Sequence, residues 1–344
     1  MADHEGRAAD DGRLRWGLLS TAAINGALLG SGHPGMHAVA SRSPERAEAY
    51  AREHGLPRWH GSYEELLADA EIDAVYVPLP NSLHVEWSVR ALEAGKHVLC
   101  EKPMSRHPDD VERAFDVAER EGRVLAEAFM WRHHPAIARA RELIEGGAIG
   151  RVRVARAGFA FVARAPDIRL DAALEGGGLM DVGSYCVSGL RALAGAEPER
   201  VYAEQVTGAD GVDVALVATL RFPGDILGVM DCGLSYAERD ELEAIGDEGT
   251  LSMYDPWHGR ESAIEVRARD GSVQRIDIEP ANSYALELAD FEAAVRGERP
   301  PLLGRDDAVA QARTIAALYR AAEEGRPVSL EEASDPADAR RGIG

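Results

Sequence analysis

The stretch Lys96-His97-Val98-Leu99-Cys100-Glu101-Lys102-Pro103 decides how this chain is read. Val98, Leu99 and Cys100 form an apolar run of buried-strand length, and the run stops in a charged pair and a proline. Proline holds the residue before it in extended backbone, so Lys102 stands fixed at the carboxyl end of a strand. In open α/β sheets, ligands bind in the crevice outside those ends. A lone Glu-Lys-Pro reads equally well as an ordinary loop lysine, so its neighbours must decide.

Outward from it, apolar runs at residues 14–19, 37–40, 74–78, 97–100 and 124–126 alternate with helical stretches at 44–54, 63–69, 83–94 and 109–121. Gly55, Gly95 and Gly122 follow three of these helices, where left-handed caps are expected. Such alternation builds a mostly parallel sheet covered on both faces. Residues 13–131 therefore read as a doubly wound, dinucleotide-binding α/β domain.

The phosphate turn, Ser20-Thr21-Ala22-Ala23-Ile24-Asn25, lacks the glycines of the usual fingerprint. Its small and polar residues still let the backbone approach a pyrophosphate at a helix N-terminus, and Ser20 and Thr21 can donate to it. At the end of the second strand, an NAD site places a carboxylate on the ribose. This chain has Ser41-Arg42-Ser43 and then Arg46. A guanidinium and hydroxyls suit a 2′-phosphate, which predicts NADP in preference to NAD. Further on, Pro78-Leu79-Pro80-Asn81-Ser82-Leu83-His84 shapes a loop above the sheet. Asn81 or Ser82 can cap the next helix, and His84 falls on its first turn.

A chain of 344 residues with 45% hydrophobic content implies two packed domains. No apolar stretch reaches the ~18 residues of a membrane span, and residues 1–12 form a polar start without an apolar signal core. A cytoplasmic location is expected. Cys100, Cys186 and Cys232 lie far apart in apolar surroundings and read as buried thiols. The formal net charge of −21 disfavours nucleic acid and anionic membranes as partners. It also means that an anionic ligand needs a local cationic pocket.

In the second half, Pro135 suits the first position of a helix over 136–145. The pair His133-His134 lacks a third ligand at usable spacing, so no metal is expected. Gly176-Gly177-Gly178 lets backbone pass close to a ligand. Asp181 and Tyr185 follow, four apart and on one helical face. Strands are expected at 152–161, 200–207, 212–222, 227–235, 239–244, 250–253, 264–269 and 273–278, then helices at 284–296 and 306–323. Neighbouring strands in series indicate antiparallel pairing and no second βαβ unit, which makes 132–330 an α+β domain. Residues 331–344 read as a loose tail. Phe159, Phe161 and Arg164 are substrate-side candidates, and the aromatic loop 254–258 could wall a pocket or simply pack.

The order of Pro78-Leu79-Pro80-Asn81-Ser82-Leu83-His84, Gly95-Lys96-His97-Val98 and Glu101-Lys102-Pro103 resembles the Gfo/Idh/MocA family of NAD(P)-dependent oxidoreductases. Within it, the chain is most similar to the branch of dihydrodiol, NADP-dependent xylose and glucose-fructose oxidoreductases, which tolerates Ser20 and Ala22 in place of glycines. The resemblance implies a Rossmann domain followed by an open sheet whose free face joins copies as a homodimer or homotetramer. It places Lys102 beside the nicotinamide, with the Lys102–Pro103 bond cis, and Trp131 and Arg132 close to the cofactor. It makes Tyr185 the acid/base.

On this reading, Ser20, Thr21, Ala22, Ile24, Ser41, Arg42, Arg46, Pro78, Leu79, Asn81, His84, Glu101, Lys102, Trp131 and Arg132 hold NADP. Lys102, Phe159, Asp181 and Tyr185 meet a sugar, sugar derivative or vicinal diol. A phenol titrates near ~10, and a neighbouring ammonium would favour the phenolate. A nucleotide-linked ketosugar reductase and a non-catalytic NADP-sensing protein are the alternatives.

Overall fold

The structure, a computed structural model, describes residues 13–260 and 262–331. The polar start and the tail beyond residue 331 lie outside those residues. Six strands, β1 (Trp16–Leu18), β2 (Met36–Ala40), β3 (Arg58–His60), β4 (Ala74–Val77), β5 (His97–Glu101) and β6 (Leu125–Ala128), form a parallel sheet among the described residues. Its order is β3-β2-β1-β4-β5-β6. Connecting them are α1 (Asn25–Gly30), α2 (Pro44–His54), α3 (Tyr63–Ala68), α4 (His84–Glu93) and α5 (Pro108–Glu121).

The end signals work as read for α2: the Ser43 hydroxyl accepts the Arg46 N–H, and Gly55 closes the helix at φ 68°. Edge strand β3 was not expected, because Arg58 and Trp59 are exposed and carry no apolar period. The expected cap on α4 is not made either. Asn81 sits in a single 3-10 turn (Asn81–Leu83), and its amide crosses to the other domain to donate to Glu175 O at 2.7 Å.

Half of the deciding stretch is architecture. Buried Lys96 donates through Nζ to Asp69 O (2.6 Å) and Ile72 O (2.8 Å), satisfying carbonyls at the end of α3. His97 accepts the Val124 N–H through Nδ1 at 3.0 Å, and burial lowers its pKa to about 4. Gly-Lys-His-Val thus fastens helix ends and strands, and leaves the chemistry to Glu-Lys-Pro.

After α6 (Pro135–Glu145), the second sheet contains β7 (Val152–Ala160), β8 (Arg200–Thr207), β9 (Asp213–Phe222), β10 (Ile226–Gly233), β11 (Arg239–Gly246), β12 (Gly249–Tyr254), β13 (Ala263–Ala268), β14 (Val273–Asp277) and β15 (Val328–Ser329). The order is β14-β13-β12-β11-β7-β10-β9-β8-β15. Pairing is antiparallel except between β7 and β10, because α7 (Ser184–Ala194) and two strands intervene. One sheet face packs on α6, α7 and α9 (Arg305–Glu324); the other exposes Val206, Val217, Leu227 and Val229.

The last helices return to the first domain. Leu288 and Phe291 of α8 (Ser283–Val295) share a core with Trp16, Leu18 and Leu99, and the Trp16 and Phe291 rings lie 5.1 Å apart. Ala308, Val309 and Ala312 of α9 pack with Val111 and Phe115. The cleft between the domains is therefore framed by shared packing. The three cysteines are free and buried, as expected.

Glu127 on β6 is 2% exposed; Oε1 accepts the Met104 N–H at 2.7 Å, while Oε2 has no hydrogen-bond partner among the described residues. Burial pushes its carboxyl up to about 8. Between the unfolded value and about 8, the folded state binds the extra proton, so stability falls as pH rises through that window. Glu127→Gln keeps an acceptor and removes the charge. It is expected to stabilise by about 1–3 kcal/mol near pH 8 and to be near neutral near pH 4. Urea unfolding at the two pH values checks this; equal effects at both would refute it.

Candidate active site

A cavity of about 610 Å³ opens at the carboxyl ends of β1, β4 and β5, facing β7 and α7. Its first wall is the Glu101-Lys102-Pro103 corner, where the Lys102–Pro103 peptide is cis. Buried His84 clamps this corner: Nδ1 lies 2.9 Å from Pro103 O and Nε2 lies 2.7 Å from Leu79 O. Burial lowers the His84 pKa, which favours the neutral ring. The Tyr76 hydroxyl donates to Glu101, and the Lys102 N–H donates to Glu101 Oε2 at 3.1 Å. Burial nonetheless raises the Glu101 pKa.

The second wall comes from the three-glycine stretch. Asp213, 4% exposed, accepts the Leu179 N–H at 2.7 Å and the Tyr319 hydroxyl at 2.8 Å. A side chain at Gly177 (φ 126°) would collide with that carboxylate, so glycine is needed there. From this anchor a π-helical turn (Leu179–Gly183) runs into α7 and delivers Asp181 and Tyr185 to the cavity. Such turns recur at functional sites.

The two walls meet at Lys102. Its ammonium donates to Asp181 O at 2.8 Å and to Asp181 Oδ1 at 3.2 Å, and Arg169 Nε pairs with Asp181 Oδ2 at 2.8 Å. The ammonium also lies 4.7 Å from the Tyr185 ring centroid. The Tyr185 ring packs edge-on against Phe129 (5.5 Å) and Phe159 (5.3 Å), with Trp257 at 5.9 Å. One expectation is corrected here. The Tyr185 pKa lies well above the usual phenol value, through burial first and then the Glu101 charge. Lys102 sits over the ring and its charge is met by Asp181, so Tyr185 is held as a phenol.

Ala22, Ile24, Pro78, Leu79, Asn81, His84, Glu101 and Lys102 line the cavity, as do Phe159, Asp181 and Tyr185. Ser20, Thr21, Ser41, Arg42 and Arg46 follow the ends of β1 and β2 and are not among the cavity's lining residues. There Ser20 Oγ donates to Pro78 O at 3.3 Å, which ties the turn to the opposite loop. Arg46 reaches Thr21 Oγ1 at 3.4 Å, and Arg42 bonds Tyr63. Trp131 and Arg132 are not in the lining. Trp131 is buried edge-on against Trp257, 5.0 Å between centroids, and Arg132 pairs with Asp307 at 3.5 Å and Ser188 at 3.2 Å. They brace the crossover.

Phe161, Trp257 and His258 line the cavity, which settles the aromatic loop as wall, whereas Arg164 is not among the lining residues. Arg169, Glu238 and Tyr284 also line it and were not singled out in the sequence. Arg169 sits in a short 3-10 turn (Ile168–Leu170) and Glu238 just before β11, with no motif around either; in the sequence Tyr284 reads only as a helix start. His134 caps α6, its Nδ1 accepting the Ala136 N–H at 3.2 Å.

The fold and this cleft define a two-domain, nucleotide-dependent oxidoreductase. The chain belongs to the Gfo/Idh/MocA family: residues 23–129 match its "oxidoreductase family, NAD-binding Rossmann fold" domain, and residues 137–252 match its C-terminal domain. A D-xylose 1-dehydrogenase (NADP(+)) of Haloferax volcanii is 38% identical, covering 92% of this chain and all of its own. An aldose-aldose oxidoreductase of Caulobacter crescentus, solved with glycerol, superposes with a TM-score of 0.84 at 29% identity, over 92% of this chain and 100% of that one. A 3-ketoreductase of Actinomadura kijaniata, solved with NADP and TDP-benzene, also gives 0.84, at 30% identity over 90% of this chain and 97% of its own. Among the described residues, no helix is long and apolar enough to cross a membrane.

Proposed function

We propose that this oxidoreductase uses NADP to interconvert the hydroxyl and carbonyl forms of one carbon in a sugar, sugar derivative or vicinal diol. The observation that carries this reading is the convergence of Lys102 and Tyr185, from different domains, in one cavity that also reaches the phosphate turn. The small residues Ala22 and Ala23 leave room for a dinucleotide there, and exposed Arg42 and Arg46 suit its 2′-phosphate. When bound, the nicotinamide supplies or accepts the hydride.

The chain's own residues handle the proton. Among the described residues Tyr185 has no hydrogen-bond partner, so its phenol is free to donate to the substrate carbonyl oxygen in reduction. In oxidation the substrate hydroxyl gives its proton to the Tyr185 oxygen once that oxygen has released its own to solvent. An ammonium has three donors; Asp181 takes two from Lys102. The third can hold the same substrate oxygen and stabilise its developing charge.

Replacing Arg42 and Arg46 together by Ala is expected to lower kcat/KM for NADP by about 10–100-fold and to leave that for NAD nearly unchanged. An unchanged NADP/NAD ratio would move the phosphate elsewhere. NADP-linked turnover on a panel of free sugars, polyols, diols and nucleotide-linked ketosugars tests the function itself. Tight NADP binding with no turnover on any of them would favour the sensing alternative. The exposed apolar row Val206, Val217, Leu227 and Val229 supports pairing of copies through the open sheet, which sedimentation measures.

A further inference from the structure

We infer that the substrate half of the cleft selects an uncharged polyhydroxy compound, a free sugar or polyol, and rejects one that carries a phosphate or nucleotide diphosphate. This rests on the oxidoreductase reading above and narrows its substrate.

A chain of net charge −21 needs local cations to hold an anion. Towards the cofactor it has them, in Arg42 and Arg46, neither of which makes an ion pair among the described residues. Towards the substrate the lining lysine and arginine both already face carboxylates, and Lys102 keeps one donor, for the reacting oxygen. Lys102 is held by Asp181, and Arg169 is shared between Asp181 (2.8 Å) and Asp167 (3.2 Å).

Glu238 lines the cavity with no ion-pair partner among the described residues. A second hollow, lined by Glu238, Asp240, Asp255 and Arg260, shares Glu238 with the cavity. The single guanidinium there is already bound to Asp255 at 3.1 Å, and His258 lies 3.0 Å from Asp240. An entering phosphate would meet carboxylates without a free countercharge, and such like-charge contacts discriminate strongly between partners. Hydroxyls, by contrast, are donors that carboxylates accept. The partly exposed Phe159 ring, backed by the fully buried Trp257 ring at 6.0 Å and 13°, offers an apolar surface to the C–H side of a sugar ring.

The test compares D-glucose with D-glucose 6-phosphate, D-ribose with D-ribose 5-phosphate, and both free sugars with UDP-glucose and a dTDP-linked ketosugar, using the full chain and NADP(H). The expected result is a kcat/KM at least about 100-fold higher for the free sugars. Glu238→Lys, at an exposed position, is expected to narrow that ratio by about tenfold, which separates charge from size. Equal or better turnover of the phosphorylated or nucleotide-linked compounds, or a ratio that Glu238→Lys leaves unmoved, overturns the inference and leaves the oxidoreductase reading standing. Failure of every compound, charged and uncharged, overturns that reading and this inference with it.

Discussion

Tyr185→Phe is expected to lower kcat by about 10²–10⁴-fold with almost no change in stability. Among the described residues the hydroxyl has no hydrogen-bond partner, so removing it leaves none of them unsatisfied. The ring keeps its edge-on contacts with Phe129, Phe159 and Trp257. The change in unfolding free energy should therefore stay within about 0.5 kcal/mol. Single-turnover hydride transfer, read from NADPH absorbance, together with a thermal melt, checks both halves. Full turnover in the variant would remove Tyr185 from proton transfer.

Lys102→Met carries the second large effect. The substitution keeps the apolar stem and deletes the charge that faces Asp181 and the substrate oxygen. Two losses then combine: the oxygen loses its cationic donor, and Asp181 keeps only Arg169 as its counterion. A fall in kcat of about 10²–10³-fold is expected, with the KM for NADP nearly unchanged, because Arg42 and Arg46, proposed for the cofactor phosphate, follow β2 and are not among the residues lining the cavity around Lys102. Lys102→Arg should not restore activity, since a planar fork cannot replace a compact ammonium that Asp181 holds at two points. A variant that lost only affinity for NADP would place Lys102 on the cofactor and not on the reacting carbon.

The alternation of β1 to β6 with their helices was readable because buried parallel strands are continuous apolar runs closed by caps such as Gly55 and Gly122. β3 was not, because an edge strand with Arg58 and Trp59 exposed has no such run. The glycines before Asp181 announced a close approach, and Gly177 meets Asp213 there. What could not be read was how charges would pair across the cleft. Lys102 lies 79 residues from Asp181, and Arg169 has no motif of its own. The Tyr185 phenol was expected to ionise more readily because the lysine was placed nearby without its carboxylate. Trp131 and Arg132 adjoin the site in sequence, yet face Trp257 and Asp307.

His84 gives the site one more property. Its two nitrogens lie between two carbonyl oxygens, and a neutral imidazole carries a single N–H. Only one of the two oxygens can be bonded at a time. With the hydrogen on Nδ1, the ring ties down Pro103; with it on Nε2, it ties down Leu79 and leaves the proline carbonyl facing a lone pair. The tautomer of His84 therefore determines whether the lysine corner at Pro103 or the loop at Leu79 is the fastened side of the cleft.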